Sequence, residues 1–211
     1  MTLPPGVNSK DFADALKQFE EAVGKPWVFS SDEDVALYRD AYSPFWGEPE
    51  ERVASAAVAP DGAEQVQKVV KIANNYKIPI YPISTGKNLG YGGSAPNLSG
   101  SLVLDLKRMN RILDVNPRDH SALVEPGVSY FDLYRHIQEK GYKLWIDVPD
   151  PGWGEYRTAP AFQDAVMDTY PFNNHALRRF HETIKDAVDP NGIISAGRYG
   201  IWPKHLRGNK A

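Results

Sequence analysis

Two apolar segments, Ile78–Ile83 and Leu102–Leu106, are separated by a stretch from Ser84 to Ser101 that is rich in Gly, Ser, Asn and Pro. That composition is incompatible with regular structure, because glycine and proline weaken or break helix and strand interiors. The stretch is long for a loop inside a compact domain, and loops of that length are usually functional. The fold therefore has to set a strand at each end of an irregular, ligand-sized loop.

The rest of the chain supplies the scaffold. Phe12, Leu16, Phe19 and Val23 fall on one helical face, with Asn8 or Ser9 as cap and Gly24 as stop. Trp27 to Phe29 is a short apolar segment. Ser31 caps a brief helix carrying Val35, Leu37 and Tyr38. Ala56 to Ala59 reads as a buried strand. Asp61 and Glu64 have capping-box spacing ahead of a helical stripe of Val66, Val69, Val70 and Ala73. The strand–helix–strand order ending at Ile78–Ile83 predicts parallel pairing with a right-handed crossover. Arg111–Val115 and Ala122–Glu125 read as further strands, Asp132–Glu139 as a helix between Ser129 and Gly141, and Leu144–Val148 as a last strand. After the turn-forming run Pro149–Gly154, helices are expected over Ala161–Thr169 and Asn174–Val188, with Asp189-Pro190-Asn191-Gly192 as the stop.

Within the loop, four glycines fall between Gly86 and Gly93. Glycine admits positive φ and close approach of the backbone to a ligand. Successive N–H groups in such a loop form a concave nest for an anion, and Ser84, Thr85, Asn88 and Ser94 add side-chain donors. Other phosphate motifs fit worse. A Walker A loop needs glycine where Tyr81 stands. Gly90-Tyr91-Gly92-Gly93-Ser94-Ala95 matches the loose dinucleotide fingerprint, but Pro96 and a strand follow it where a Rossmann loop would open a helix. By residue types alone, a ligand-free surface turn remains the alternative.

Composition removes several classes. Net charge is −3 and the sequence pI is about 6.0, so the chain does not advertise nucleic-acid binding and no nucleic-acid partner is expected. No cysteine is present, so disulfides and thiolate sites are out, and a reducing cytoplasm suits the chain. No secretory signal or bilayer-length apolar run is visible, so no membrane association is expected. The five histidines show no metal-ligand spacing, and no metal site is expected.

The run Pro82-Ile83-Ser84-Thr85-Gly86-Lys87-Asn88-Leu89-Gly90-Tyr91-Gly92-Gly93-Ser94-Ala95-Pro96 closely resembles the pyrophosphate loop of the vanillyl-alcohol oxidase and p-cresol methylhydroxylase family. The resemblance continues through Met109–Leu113, Val124-Glu125-Pro126-Gly127-Val128 and Trp145–Asp150. It implies an α+β PCMH-type FAD-binding fold and FAD as cofactor. The cofactor-binding positions it implies are Pro82, Ser84, Thr85, Gly86, Lys87, Asn88, Leu89, Gly90, Gly92, Gly93, Ser94, Glu125, Pro126, Gly127, Val128 and Arg198. Family members oxidise para-substituted phenols by hydride abstraction, which the resemblance implies as the chemistry here.

The resemblance comes in two blocks. Residues 1–151 look like the family's N-terminal FAD-binding part. Residues 152–211 look like its extreme C-terminus, through Gly154–Thr158, Asp189–Ile193 and Gly200–Pro203. The family's intervening segment, with its substrate cap and covalent flavin anchor, has no counterpart here. The expectation is a minimal domain with the cap deleted at Gly152-Trp153-Gly154, engineered or natural, that binds FAD dissociably. By the same resemblance Tyr91 and Tyr156 hold a phenol oxygen, Arg157 favours the phenolate, Asp150 stands near flavin N5, and Arg198 lies near N1 and O2. The structural alternatives are that Tyr156 and Arg157 tie the C-terminal segment down, Asp150 is a turn residue, and Arg198 is a surface arginine. Ala159-Pro160 stands where the family usually has His after Tyr-Arg-Thr. Partners are FAD and phenolic small molecules, and the uncovered surfaces favour self-association. The rival reading is a non-catalytic remnant that binds no flavin and makes only protein contacts.

Overall fold

The computed structural model describes residues 2–87, 93–146 and 163–208. The chain opens with helix α1 (Ser9–Val23), whose Asn8 cap accepts from the Asp11 N–H. Phe12, Ala15, Phe19 and Val23 are buried along its inner face. Gly24 ends it with φ of 91°, a left-handed value that favours glycine. A short strand β1 (Val28–Phe29) and a five-residue helix α2 (Asp32–Ala36), capped by Ser31, follow.

The central sheet contains β1, β2 (Ala56–Val58), β3 (Ile80–Ile83) and β4 (Leu102–Asp105), in the order β1-β2-β4-β3. β2 and β3 both run parallel to β4, and β1 is antiparallel to β2. The expected parallel relation therefore holds, but β2 and β3 are not neighbours, because β4 inserts between them. Helix α3 (Ala63–Tyr76) connects β2 to β3. Alternate strand residues face opposite sides. Ala56, Val58, Ile80, Leu102 and Leu104 pack with α1 and with Val69 and Ala73 of α3. Ala57, Tyr81, Ile83 and Val103 pack on the other side with Tyr38 and Ala54.

The Asp61–Glu64 capping box does not form. Gly62 occupies the cap position without a side-chain bond. The Asp61 N–H donates to Gln65, and its carboxylate takes Arg108 at 3.2 Å. A long-range ion pair takes the carboxylate that the local capping box would have used.

Beyond β4, a two-stranded antiparallel sheet is made by β5 (Ile112–Asn116) and β6 (Ser121–Val124). Helix α4 (Tyr130–Glu139) begins with a complete capping box between Ser129 and Asp132. Leu144 to Ile146 form no strand, and Asp147 and Val148 lie outside the described residues. The C-terminal part holds α5 (Gln163–Asp168) and α6 (Phe172–Val188). Asn173, Asn174 and His175 have positive φ, so regular right-handed helix begins only after His175.

The chain's end returns to the sheet. Ile80 bridges to Ile194 in parallel, with Ile80 N–H donating to Ile193 O at 2.5 Å and Ser195 N–H to Ile80 O at 2.7 Å. The outer edge of β3 is thereby paired at Ile80, where both backbone groups find partners. Among the described residues, no helix is long and apolar enough to cross a membrane.

Candidate FAD site

The parallel strands deliver the site. β3 ends at Ile83, directly opposite Asp105 at the end of β4. The segments leaving these two ends emerge side by side, at the carboxyl edge where open parallel sheets commonly place ligands. From β3 emerges the glycine-rich loop; from β4 emerges Leu106-Lys107-Arg108.

The described ends of the loop are fixed. Ser84 Oγ donates to the Pro126 carbonyl, tying the loop's start to the Glu125–Val128 turn. Ser94 Oγ donates to the Gly86 carbonyl at 3.4 Å, drawing the loop's two ends together. Gly86 has φ of 66°, and a Cβ there would overlap Ser94 Oγ. Glycine is thus required at this position on two counts, backbone conformation and space. Thr85, Gly86, Lys87, Gly93 and Ser94 line a cleft of about 180 Å³, whose other wall is Leu37, Arg39–Tyr42 and Lys107. Asn88, Leu89, Gly90, Tyr91 and Gly92 lie outside the described residues.

The Glu125–Val128 turn is held by close packing. Glu125 Oε1 accepts from Arg111 Nη2 at 2.5 Å, and its Oε2 accepts from the Arg111 N–H at 2.8 Å. Those bonds hold the carboxyl below its usual range. Both carboxylate oxygens are therefore committed to Arg111. Gly127 abuts the carbonyls of Leu106, Lys107 and Met109, so any Cβ would strike backbone. Its N–H donates to Met109 O at 2.7 Å. This turn acts as the brace under the loop: Pro126 receives Ser84, and Gly127 seats on the chain leaving β4.

Pro82 lies within β3. Arg198, in a short 3₁₀ turn near the C-terminus, has its guanidinium 5.5 Å from the Tyr81 ring centre. Tyr81 belongs to the sheet face that also carries Tyr38. Burial pushes the Tyr81 phenol up, partly offset by the Arg198 charge. The Ile80–Ile194 bridge is what brings Arg198 to this face. Asp150, Tyr156 and Arg157 lie outside the described residues, as does the boundary between residues 151 and 152.

Several residues of the site escaped the sequence reading. Asp40 is buried beside Gly93 and accepts the Tyr42 N–H at 3.0 Å. Arg39 makes a two-bond pair with Glu51, at 2.7 and 2.6 Å, and stacks 3.7 Å from the Trp46 ring centre. Buried Gln163 accepts from Asn97 Nδ2 at 2.7 Å and from the Tyr199 N–H at 2.5 Å, clamping the segment after the loop to the turn that bears Arg198. The one available signal was Asp105, a carboxylate closing an otherwise apolar strand. Among the described residues, no group of His, Asp or Glu is placed to hold a metal ion.

Residues 54–155 match a family model described as an FAD binding domain. The structure aligns with p-cresol methylhydroxylase with substrate bound at a TM-score of 0.68 and 36% identity, covering 84% of this chain and 34% of that one. The chain has the PCMH-type FAD-binding fold.

A second PCMH-type relative is the 4-ethylphenol oxidase from Gulosibacter chungangensis in its isoeugenol complex. It aligns at a TM-score of 0.67 and 41% identity, over 73% of this chain and 29% of that chain. The 4-cresol dehydrogenase [hydroxylating] flavoprotein subunit of Pseudomonas putida is 40% identical over 149 residues, or 71% of this chain and 28% of the relative. The resemblance to the vanillyl-alcohol oxidase and p-cresol methylhydroxylase family is upheld. The chain spans 28% of that curated relative's length.

Proposed function

We propose that the chain binds FAD non-covalently, seating the pyrophosphate in the loop from Ser84 to Ser94. One observation carries this reading: a donor-lined cleft, closed by Ser84 on Pro126 and by Ser94 on Gly86, at the carboxyl edge of a PCMH-type sheet. The described residues fit such a group. Gly86 leaves no room for a side chain, Thr85 brings a hydroxyl, and Lys87 and Lys107 bring positive charge.

FAD, when bound, would supply an acceptor for a hydride from the carbon attached at the para position of a phenol. The chain's part is to hold the cofactor and orient the phenol. By the family resemblance, Tyr91 and Tyr156 would hold the phenol oxygen, Arg157 would favour the phenolate, Asp150 would serve near flavin N5, and Arg198 would lie near N1 and O2 to balance negative charge. Arg198 beside Tyr81 supports the last assignment. The relatives named for cresol and ethylphenol oxidation favour phenolic substrates. Without a cap the site meets solvent, so turnover is weak or altered.

We read residues 1–151 as the N-terminal part of the FAD domain and 152–211 as the family's C-terminal segment docked on it. The Ile80–Ile194 bridge supports that docking. The alignment over 84% of the chain reaches past residue 154 and supports the two-block reading, with an internal deletion between, engineered or natural. A rival reading, in which the chain makes only protein contacts, draws on α6. Leu177, Phe180, Ile184 and Val188 recur there at helical spacing and are all exposed. An apolar stripe of this kind favours self-association under either reading. The test is to incubate the purified protein with FAD, desalt it and precipitate it with acid. Flavin colour that survives desalting and passes to the acid supernatant is the expected result. Colourless, folded protein would refute FAD binding, and colour fixed to the pellet would refute non-covalent attachment.

A further inference from the structure

The cleft has a wall that the glycine-rich loop does not supply, and Lys107 lies on it. Its place follows from the sheet register. Asp105 is opposite Ile83, so the residue two past Asp105 emerges beside the loop that starts at Ser84.

The lysine is anchored from beneath. Asp105 is only 4% exposed. Its Oδ1 accepts from the Lys107 N–H at 3.0 Å. Its Oδ2 accepts from Lys107 Nζ at 3.1 Å and from the Tyr38 hydroxyl at 2.9 Å. A carboxylate this deep is costly unless it is paired and hydrogen-bonded, and these three donors satisfy it. Tyr38 is itself buried, and its ring centre lies 5.5 Å from Lys107 Nζ. Burial, then the Asp105 charge, push the Tyr38 phenol far above its usual range, so it remains a donor at any working pH.

The ammonium itself stays accessible, with the Lys107 side chain 46% exposed. Asp105 takes one of its three N–H donors, which leaves two for an anion. The neighbouring Arg39 is differently placed: Glu51 neutralises it and Trp46 covers its face. Asp40, also on this wall, adds negative charge that a phosphate site has to offset.

We propose that Lys107 is a phosphate-binding residue of the FAD site, with Asp105 and Tyr38 as the residues that position it. The inference rests on the FAD reading above and narrows it. With its four-carbon stem held by Asp105 at the backbone N–H and at Nζ, the ammonium is presented as a localised point charge, the form in which lysine binds phosphate. A purely structural lysine would neutralise Asp105 and nothing more.

The two roles separate in binding. FAD and riboflavin are titrated into wild type, Lys107→Gln, Lys107→Arg and Tyr38→Phe at low and moderate salt, with thermal unfolding followed in parallel. Lys107→Gln should weaken FAD about tenfold, the effect of one charged hydrogen bond. It should also flatten the salt dependence of FAD binding, since one screened ion pair is gone. Riboflavin, which has no phosphate, should bind both proteins alike. Lys107→Arg should keep most of the affinity, and Tyr38→Phe should lose a smaller part of it. Wild-type FAD affinity and salt dependence in Lys107→Gln would overturn the proposal, as would an equal loss of riboflavin. If riboflavin binds too weakly to measure, the salt dependence alone decides. Wild type that binds no FAD would instead bring down the parent reading, an outcome distinct from a variant that binds normally.

Discussion

Replacing Phe19 with alanine should cost about 3–5 kcal/mol of stability, the range for removing a large aromatic from a packed interior. Phe19 is fully buried on the inner face of α1, in the cluster that joins α1 and α3 to the sheet. The same cluster includes Phe12, Ala15, Val69, Ala73 and the strand residues Ile80 and Leu102. A domain with a typical margin of about 5–15 kcal/mol would lose a large share of it. Urea unfolding should show a lower midpoint at unchanged slope. Phe180, 62% exposed on α6, is the control, and its alanine variant should shift the midpoint little. Equal effects at the two positions would show that α1 does not pack as described.

Replacing Gly86 with valine should weaken FAD binding by at least about tenfold while leaving the sheet folded. Two costs combine. A β-branched residue is forced to φ of 66°, and its Cβ meets Ser94 Oγ with Ile83 Cδ1 only 3.3 Å away. Left-handed strain costs on the order of 1–3 kcal/mol by itself, and 1.4 kcal/mol is already tenfold in affinity. The loop relieves the clash by moving Ser94 off the Gly86 carbonyl, which opens the cleft. The α1 and sheet cluster contains no loop residue, so unfolding should move less than for Phe19→Ala. Unchanged FAD affinity would show that the cleft beside Gly86 is not where the pyrophosphate sits.

What could be read from the sequence was mostly local. The α1 stripe, its Asn8 cap and the Ser129 cap of α4 depend on residues three or four apart, and they form as their spacing implies. The glycine-rich loop was legible because its composition reports backbone freedom directly. Relations across the chain were not. No periodicity in β2, β3 or β4 says that β4 sits between the other two. The Asp61–Glu64 spacing was a sound local signal, but Arg108, far along the chain, claims Asp61. Tyr38, Asp105 and Lys107 become one unit only when β4 lies next to β3 and Tyr38 packs on the sheet's second face. The clamp of Gln163 on Asn97 and Tyr199 likewise joins three separate segments. The resemblance pointed to the loop and to Arg198, and the fold supplied the wall of the cleft opposite the loop.

The most direct test of where FAD binds is amide hydrogen exchange on the protein with and without FAD. Slowed exchange over residues 84–94 and 105–107, with α6 unchanged, is the expected result, because the pyrophosphate should cover the loop and the chain leaving β4. Binding of FAD with no protection in those segments, or with protection confined to α6, would contradict the placement of the cofactor in this loop.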